Sequence, residues 1–172
     1  MGNSVMTSVE IEHHNESKTV SSWLLLYLSG YKNPFAINIE HVQEILPYSS
    51  ISAIPETPPY VLGGVTLRMR TMPVLDLSAL LGALTAQEGA VGKTFVIIEC
   101  LGEHLVLLVE KVDHIIDCSQ DKFHLPPKEA GNNIFIQGVI ESEGGLIQAL
   151  DVNKVIRLSC RVKPKANHQQ GF

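Results

Sequence analysis

The chain is poor in charged residues. Only 18% of its 172 residues are Asp, Glu, Lys or Arg, whereas 45% are hydrophobic, and an ordinary soluble domain carries about 25% charged residues. The formal net charge of −5 argues against a nucleic-acid-binding protein, because phosphate backbones require a basic face. The high apolar fraction excludes a disordered chain. We therefore expect a compact protein, part of whose surface is covered by a partner.

Long hydrophobic runs and paired cysteines are also missing. No aliphatic run approaches the roughly 18 residues of a membrane-spanning helix, and residues 1–21 lack the apolar stretch of a secretory signal. The three cysteines are widely separated and form no CxxC pair, so they signal neither a disulfide framework nor a zinc site. We expect a cytoplasmic protein with two tails, at 1–21 and 162–172, and no metal or other cofactor.

The signatures of common enzymes are absent as well. The sequence contains no phosphate-binding glycine loop, nucleophile elbow or HExxH motif. His41, His104 and His114 are predicted at strand ends or turns, and no serine or cysteine partner is indicated for them. Asp76 and Asp151 each precede a short helical segment, where N-capping explains them better than a catalytic pair does. The sequence thus predicts no catalytic residue.

Short β-prone runs dominate the chain between residues 22 and 158. Gly- and Pro-rich turns separate these runs at near-regular spacing, which is typical of a β-barrel or β-sandwich. Only two short segments are predicted as helices, one after Asp76 and one after Asp151. The sequence therefore indicates an all-β fold with a few short helices.

The same order of elements occurs twice along the chain. A strand pair, a proline segment, a glycine and an Asp-led helix recur on either side of a small polar linker at 83–93. The matching segments are 23–46 with 95–116, Gly64-Val65 with Gly138-Val139, and the stretch from Pro73 with that from Gln148. A module of about 60 residues buries too little surface to be stable alone. We expect a first module at 22–84 and a second at 94–158, packed over a shared core.

The segment 57–77 is the most unusual part of the sequence. Its prolines favour an extended entry, and Gly63 with Gly64 permits a bend or a bulge. If the segment stays extended, Arg68 and Arg70 project from the same face of a strand. Two interpretations stay open for this pair: a solvated strand edge that uses arginine against aggregation, and an anchor for a partner.

The order of several motifs along the chain identifies a family. The motifs are I-x-x-V-x-E-I from Ile39, P-x-x-P-x-x-V-x-G from Pro55, L-R at Leu67-Arg68, P-V-L-D-L from Pro73, G-E-x-x-x-L-L-V-E-x-V from Gly102, and G-V-I with L-D-V around Gly138 and Asp151. In this order and at these spacings, the chain from Ser22 to Leu158 resembles the CheW family of bacterial chemotaxis coupling proteins. It departs from the family at Met69, where a glycine is usual.

The resemblance implies a scaffold rather than an enzyme. Members of the family fold as two SH3-like five-stranded β-barrels in pseudo-symmetric tandem, joined over a hydrophobic core. They couple the cytoplasmic tips of methyl-accepting chemoreceptors to the regulatory domain of a CheA-type histidine kinase, at membrane-associated receptor arrays. Two alternatives stay open: an adaptor of a pilus or other non-flagellar chemosensory pathway, and a β-barrel binding module for another protein or ligand.

The resemblance also assigns partner surfaces by motif position. The positions that match the kinase-docking surface are Val42, Glu44 and Ile45. The positions that match the receptor-coupling region are Gly63, Leu67 and Arg68, with Phe95 and Ile115 as weaker candidates for a receptor groove. From its sequence neighbours alone, Glu44 fits either a solvated strand face or a docking interface.

Overall fold

The computed structural model describes residues 19–83, 92–126, 128 and 133–161, without the side chain of Cys160. This part of the chain contains two α-helices, α1 Leu77–Leu80 and α2 Val152–Cys160. It also contains eleven strands, which are β1 Val20–Tyr27, β2 Phe35–Asn38, β3 Val42–Pro47, β4 Val61–Leu67, β5 Arg70–Asp76, β6 Thr94–Cys100, β7 Glu103–Val109, β8 Lys111–Ser119, β9 Phe123–His124, β10 Ile136–Ser142 and β11 Gly145–Leu150. The prediction of an all-β fold with a few short helices is confirmed.

The predicted tails and linker fall almost entirely outside the described residues. The N-terminal prediction of a tail over 1–21 is too long, because β1 begins at Val20 and its first residues pair with the end of β8. The predicted C-terminal tail at 162–172 and most of the linker at 83–93 lie where the structure gives no description.

The strands form two sheets with matching topology. Sheet 1 has the order β8-β1-β2-β11-β10-β9, and sheet 2 has the order β3-β6-β7-β5-β4. Each sheet contains one parallel neighbour pair, β2 with β11 in sheet 1 and β7 with β5 in sheet 2. The first five strands of sheet 1 therefore correspond one by one to the five strands of sheet 2.

Each sheet takes strands from both halves of the sequence. Sheet 1 combines β1 and β2 with β8 to β11, whereas sheet 2 combines β6 and β7 with β3 to β5. The predicted modules at 22–84 and 94–158 are thus repeats of sequence and topology that exchange their first two strands. The boundary between them does not separate one sheet from the other.

Strand register defines which residues of the two repeats are equivalent. Gly63 pairs with Val74 directly after a register shift in sheet 2, and Gly138 pairs with Ala149 directly after the corresponding shift in sheet 1. The expected match of Gly64 with Gly138 is therefore displaced by one residue, because the bulge sets the register. Neither glycine leaves room for a side chain, since a Cβ on Gly63 would clash with the Ser52 carbonyl oxygen and one on Gly138 would clash with the Phe123 ring.

Apolar residues are buried on both faces of each sheet. Along β1, Trp23 and Leu25 pack into a cluster confined to sheet 1, while Leu24 and Leu26 pack into a larger cluster shared with sheet 2. A third cluster, which includes Phe95 and its neighbours, is confined to sheet 2. Three clusters in so short a chain explain why nearly continuous hydrophobic runs replace the alternation of a half-solvated sheet.

Both helices begin at the aspartates that the sequence predicts as N-caps. The Asp76 carboxylate accepts a hydrogen bond from Ala79 N at 3.2 Å, and the Asp151 carboxylate accepts one from Lys154 N at 3.1 Å. Each bond satisfies a backbone donor that the first helical turn leaves without a partner. The geometry therefore gives both aspartates a local structural role.

Candidate docking surfaces

A tight turn joins β4 to β5 and presents Arg68 and Met69. Leu67 pairs with Arg70, so the hairpin closes over two residues, and these have φ values of 48° for Arg68 and 64° for Met69. Positive φ at both central residues is the geometry of a type I′ turn, which matches strand twist and favours glycine or asparagine. The segment therefore does not stay extended, and Arg68 and Arg70 do not share a strand face.

An ion pair connects this turn to the edge strand β3. Arg68 Nη2 donates to Glu44 Oε1 at 2.8 Å, while the Arg68 side chain is 82% exposed and that of Glu44 is 29% exposed. An exposed pair of this kind contributes at most about 1 kcal/mol to stability. Its main effect is to hold the two side chains together, so that a residue predicted for kinase docking and one predicted for receptor coupling lie on one surface.

The other kinase-docking candidates lie on either side of Glu44 along β3. Val42 is half-buried and packs against the shared core, whereas the side chain of Ile45 is 43% exposed. Strand β3 is at one end of the strand order of sheet 2. Ile45 therefore presents apolar surface at the edge of a sheet, on the face of β3 opposite to Glu44, and a protein partner can cover it.

Two of the receptor-coupling candidates lie inside the fold. Gly63 is buried with φ of +144°, and the Ser52 carbonyl occupies the space that any side chain would need. Phe95 is fully buried, and its ring contacts that of Tyr48 edge to face at 5.5 Å. Both residues support strands from within and present no side chain to a groove. Leu67 is half-buried against the core of sheet 2, so Arg68 and Ile115 are the more exposed candidates.

Ile115 is the counterpart of Ile45 in the second repeat. Ile115 pairs with Leu24 of β1, just as Ile45 pairs with Val96 of β6, and both isoleucines are exposed, Ile115 to 51%. The motif positions assign the two isoleucines to different partner surfaces. The match between segments 39–45 and 109–115 of the sequence aligns Ile45 with Ile115, so the equivalence of the two isoleucines could have been predicted from it.

Sequence reasoning missed a second exposed apolar tip. Leu101 lies in the two-residue turn between β6 and β7 with φ of 56° and is 77% exposed, while Met69 is 99% exposed. Both turns lie at the same end of sheet 2, because β5 and β7 run parallel and Val74 pairs with Val106. The sequence could have indicated this exposure, because a leucine directly before Gly102, in a turn between two strands, is unusual.

The described part of the chain contains no metal-binding cluster, one described cavity and two buried thiols. No group of three or more His, Cys, Asp or Glu side chains is arranged to hold a metal ion there. A cavity of about 330 Å³ lies at one end of sheet 1, lined by Thr19, Ser21, Trp23, Gln120, Phe123 and Gln137. Cys100 and Cys118 are free and buried, and burial raises the pKa of both thiols, which disfavours nucleophilic thiolates.

Comparison with known families decides where this fold belongs. A model of the CheW-like domain matches residues 23–160, which span both repeats. The chain belongs to the CheW-like domain family. Membership also agrees with the expectation that the chain is not an enzyme, and it confirms the resemblance carried by the order of motifs.

Individual relatives lead to the same family. The chain is 31% identical over 123 residues to the chemotaxis protein CheW of Rhizobium meliloti, covering 70% of this chain and 79% of that protein. It is 29% identical over 122 residues to the probable chemotaxis protein CheW of Rhizobium etli, covering 69% and 77%. The crystal structure of the scaffolding protein TtCheW from Thermoanaerobacter tengcongensis matches with a TM-score of 0.71 and 24% identity, over 77% of this chain and 90% of that one. None of the helices in the described part is long and apolar enough to cross a membrane.

Proposed function

We propose that this CheW-family protein is a non-catalytic scaffold that couples chemoreceptors to a CheA-type histidine kinase in a chemosensory array. The observation that carries the proposal is the ion pair between Glu44 and Arg68, which holds a kinase-docking candidate and a receptor-coupling candidate on one exposed surface. The family match over residues 23–160 supports a scaffold role. In this proposal the protein works at membrane-associated receptor arrays without entering the membrane.

The kinase-docking part of the surface is the edge strand β3. Ile45 supplies exposed apolar area on one face of the strand, and Glu44, on the opposite face, supplies a carboxylate that accepts a hydrogen bond from Arg68. Apolar area at the centre of an interface provides most of the binding free energy, while a charged neighbour selects the partner and its orientation. The regulatory domain of the kinase is the partner we assign to this strand.

The receptor-coupling part centres on Arg68 in the β4–β5 turn, with Leu67 beneath it and Ile115 as a separate contact on β8. Gly63 contributes by allowing the backbone of β4 to approach Ser52. Phe95 contributes by filling the core beneath the same sheet. In this assignment the buried residues maintain the shape of the surface and the exposed ones contact the receptor tip.

Binding of the purified chain to the regulatory domain of a CheA-type kinase from the same organism tests the docking assignment. Ile45→Glu places a charge where apolar surface has to be buried, so we expect affinity to fall about tenfold or more. Leu146→Glu is a matched control, because Leu146 is 63% exposed on β11 and lies outside β3. A folded Ile45→Glu protein that binds as tightly as the wild type rules out docking through β3.

A further inference from the structure

The outer face of α2 is basic, although the chain as a whole is acidic. The formal net charge is −5, yet no Asp or Glu follows Asp151 in the sequence. Three cationic residues lie at spacings of three and four along the helix and its C-cap, which places their side chains on one face. They are Lys154, Arg157 and Arg161, and all three are exposed. We call these three residues the α2 stripe.

The carboxylates beside the α2 stripe neutralise it only in part. Lys154 Nζ lies 3.7 Å from Asp151 Oδ2, but the Lys154 side chain stays 52% exposed and Asp151 also caps the helix. Burial raises the pKa of Cys100; Glu99 adds to the rise and Arg157 opposes it, so Glu99 and Arg157 are both close to this thiol. Glu99 Oε1 accepts a hydrogen bond from Gly102 N at 2.8 Å. Three exposed cations therefore have two carboxylate neighbours, each of which also accepts a backbone hydrogen bond.

The described part of the chain begins close to the start of α2. Thr19, its first residue, lines the cavity at the end of sheet 1 together with Gln137. Gln137 Nε2 donates to Leu150 O at 2.8 Å, and α2 begins two residues later at Val152. Residues 1–18 are therefore attached near the helix that carries the α2 stripe.

The segment that precedes Thr19 has the opposite charge. Three glutamates fall within the seven residues 10–16, and no cation lies among them. Nine residues separate Glu10 from Thr19, and an extended chain of that length spans up to about 30 Å. The nine residues of α2 are only about 14 Å long. The match to the family model begins at residue 23, so the acidic segment lies outside the domain that the relatives share.

We infer that residues 10–16 of this chain bind the α2 stripe of the same molecule. Glutamates of the segment pair with Lys154, Arg157 and Arg161, because the charges are complementary and the attachment at Thr19 is near. Exposed ion pairs are individually weak. The covalent attachment offsets this weakness, since a short tether gives an effective concentration on the order of 1 mM. An anionic partner of α2 would then have to displace the segment. The inference does not depend on the proposed coupling role.

Carbodiimide coupling of the purified full chain tests the contact, because this reagent joins a carboxylate to a lysine amine only where the two groups meet. We expect amide links from Glu10, Glu12 or Glu16 to Lys154, identified by mass spectrometry of the digested protein. The links should disappear in 1 M salt, where the screening length is about 3 Å. No link to Lys154, or links from these glutamates to Lys163 and Lys165 alone, overturns the inference.

A mixture of unlabelled and ¹⁵N-labelled chains shows whether the contact lies within one molecule. We expect each linked pair of peptides to carry a single label, at every protein concentration used. Linked pairs that combine one labelled and one unlabelled peptide would place the segment on another copy. That result contradicts the inference as stated.

Charge reversal identifies the helix face. Arg157→Glu should lower the yield of links to Lys154 about threefold or more, because a like charge then meets the segment. Adding Glu12→Arg to the same chain should restore much of the yield. Lys32→Glu is the matched control, since it changes the net charge equally but lies in the exposed loop after β1, at the opposite end of that strand from Thr19. An equal loss in both single variants would show an effect of net charge and would overturn the contact.

A variant of the segment alone leaves α2 and the described fold unchanged. When Glu10, Glu12 and Glu16 are all replaced by Gln, Lys154 should react with an amine-acylating reagent about twofold faster or more, because its charged neighbours are gone. Lys32 should react at the same rate in both proteins. Unchanged reactivity of Lys154 would show that the segment does not cover it and would contradict the inference.

Discussion

At the scale of single residues, the most informative position is Met69. It lies where members of the CheW family usually have glycine, and its φ of 64° shows what that glycine does: it is the second central residue of the β4–β5 turn. The side chain is 99% exposed, so packing within the chain does not compensate the steric cost of this backbone conformation.

Replacing Met69 by glycine should stabilise the free monomer. Removing the strain of an L-residue in the left-handed conformation raises the free energy of unfolding by about 1–2 kcal/mol. Glycine also gives the unfolded chain more conformational freedom, which offsets part of this gain, so the net increase should be about 0.5–1 kcal/mol. Urea unfolding at a protein concentration that keeps the chain monomeric measures it. Leu146→Gly is the opposite control, because Leu146 lies within β11 and has no positive φ, so glycine there should destabilise. If both variants are destabilised, backbone strain at Met69 is not significant.

The residues show what sequence alone can reach. The caps at Asp76 and Asp151 were predictable because capping depends on a few consecutive residues. The conformation of Arg68 was not predictable, because the turn at residues 68 and 69 depends on the register of β4 against β5, and no local sequence pattern specifies that register. The burial of Phe95 was missed for a related reason, since position within a family motif does not say that both faces of β6 are buried.

At the scale of elements, α2 links sheet register to the shared core. It begins directly after β11 at the Asp151 cap, and Val152, Val155 and Ile156 are buried in the cluster that both sheets share. The nine residues of the helix are too few to be stable alone. The helix therefore depends on its cap and on this packing, which makes the cap a point where a small change has a measurable cost.

Asp151→Ala should lower the free energy of unfolding by about 1 kcal/mol, whereas Asp151→Asn should cost only a few tenths. Asparagine retains an oxygen that can accept the hydrogen bond from Lys154 N, and alanine does not. The Asn variant loses only the exposed contact with Lys154 Nζ at 3.7 Å, which is worth little. Chemical denaturation of the two variants beside the wild type gives both values. Equal losses for Ala and Asn would show that charge, rather than capping, is what Asp151 contributes.

Strands were easier to predict than their partners. Runs such as the one in β1 are rich in branched and aromatic residues and end at glycine or proline, so their extended conformation follows from local composition. The pairing of β1 with β8 joins residues more than eighty positions apart, and nothing in either run specifies the other. The repeat indicated two equivalent units, but only the sheet order shows that they exchange strands.

At the scale of the whole molecule, the exchange makes the two repeats interdependent. In sheet 1, the first-half strands β1 and β2 lie between β8 and β11 of the second half. In sheet 2, the second-half strands β6 and β7 lie between β3 and β5 of the first half. A single half therefore contains the middle of one sheet and the edges of the other. Neither these middle strands nor these edge strands can bury their apolar faces without the strands of the other half.

Two fragments divided between residues 88 and 89 should therefore fold only together. Alone, 1–88 keeps strands that lack β8 and β11, and 89–172 keeps strands that lack β1 and β2, so each is expected to unfold without a cooperative transition. Mixed, they should form a one-to-one complex. Trp23 reports the event, because it is the one tryptophan of the sequence, belongs to the first fragment, and stacks on Phe123 of the second at 5.6 Å.

We expect the emission of Trp23 to shift to shorter wavelength and saturate at equimolar fragments, since the residue is only 4% exposed in the intact fold. Ala149→Asp in the second fragment is the matched control. Ala149 is fully buried and pairs with Ala36 of β2 across the exchange, so an unpaired charge there should abolish assembly. A cooperative unfolding transition in either fragment alone would show that one repeat folds independently. In that case the shared core would connect halves that can fold on their own, and it would not be required for either half to fold.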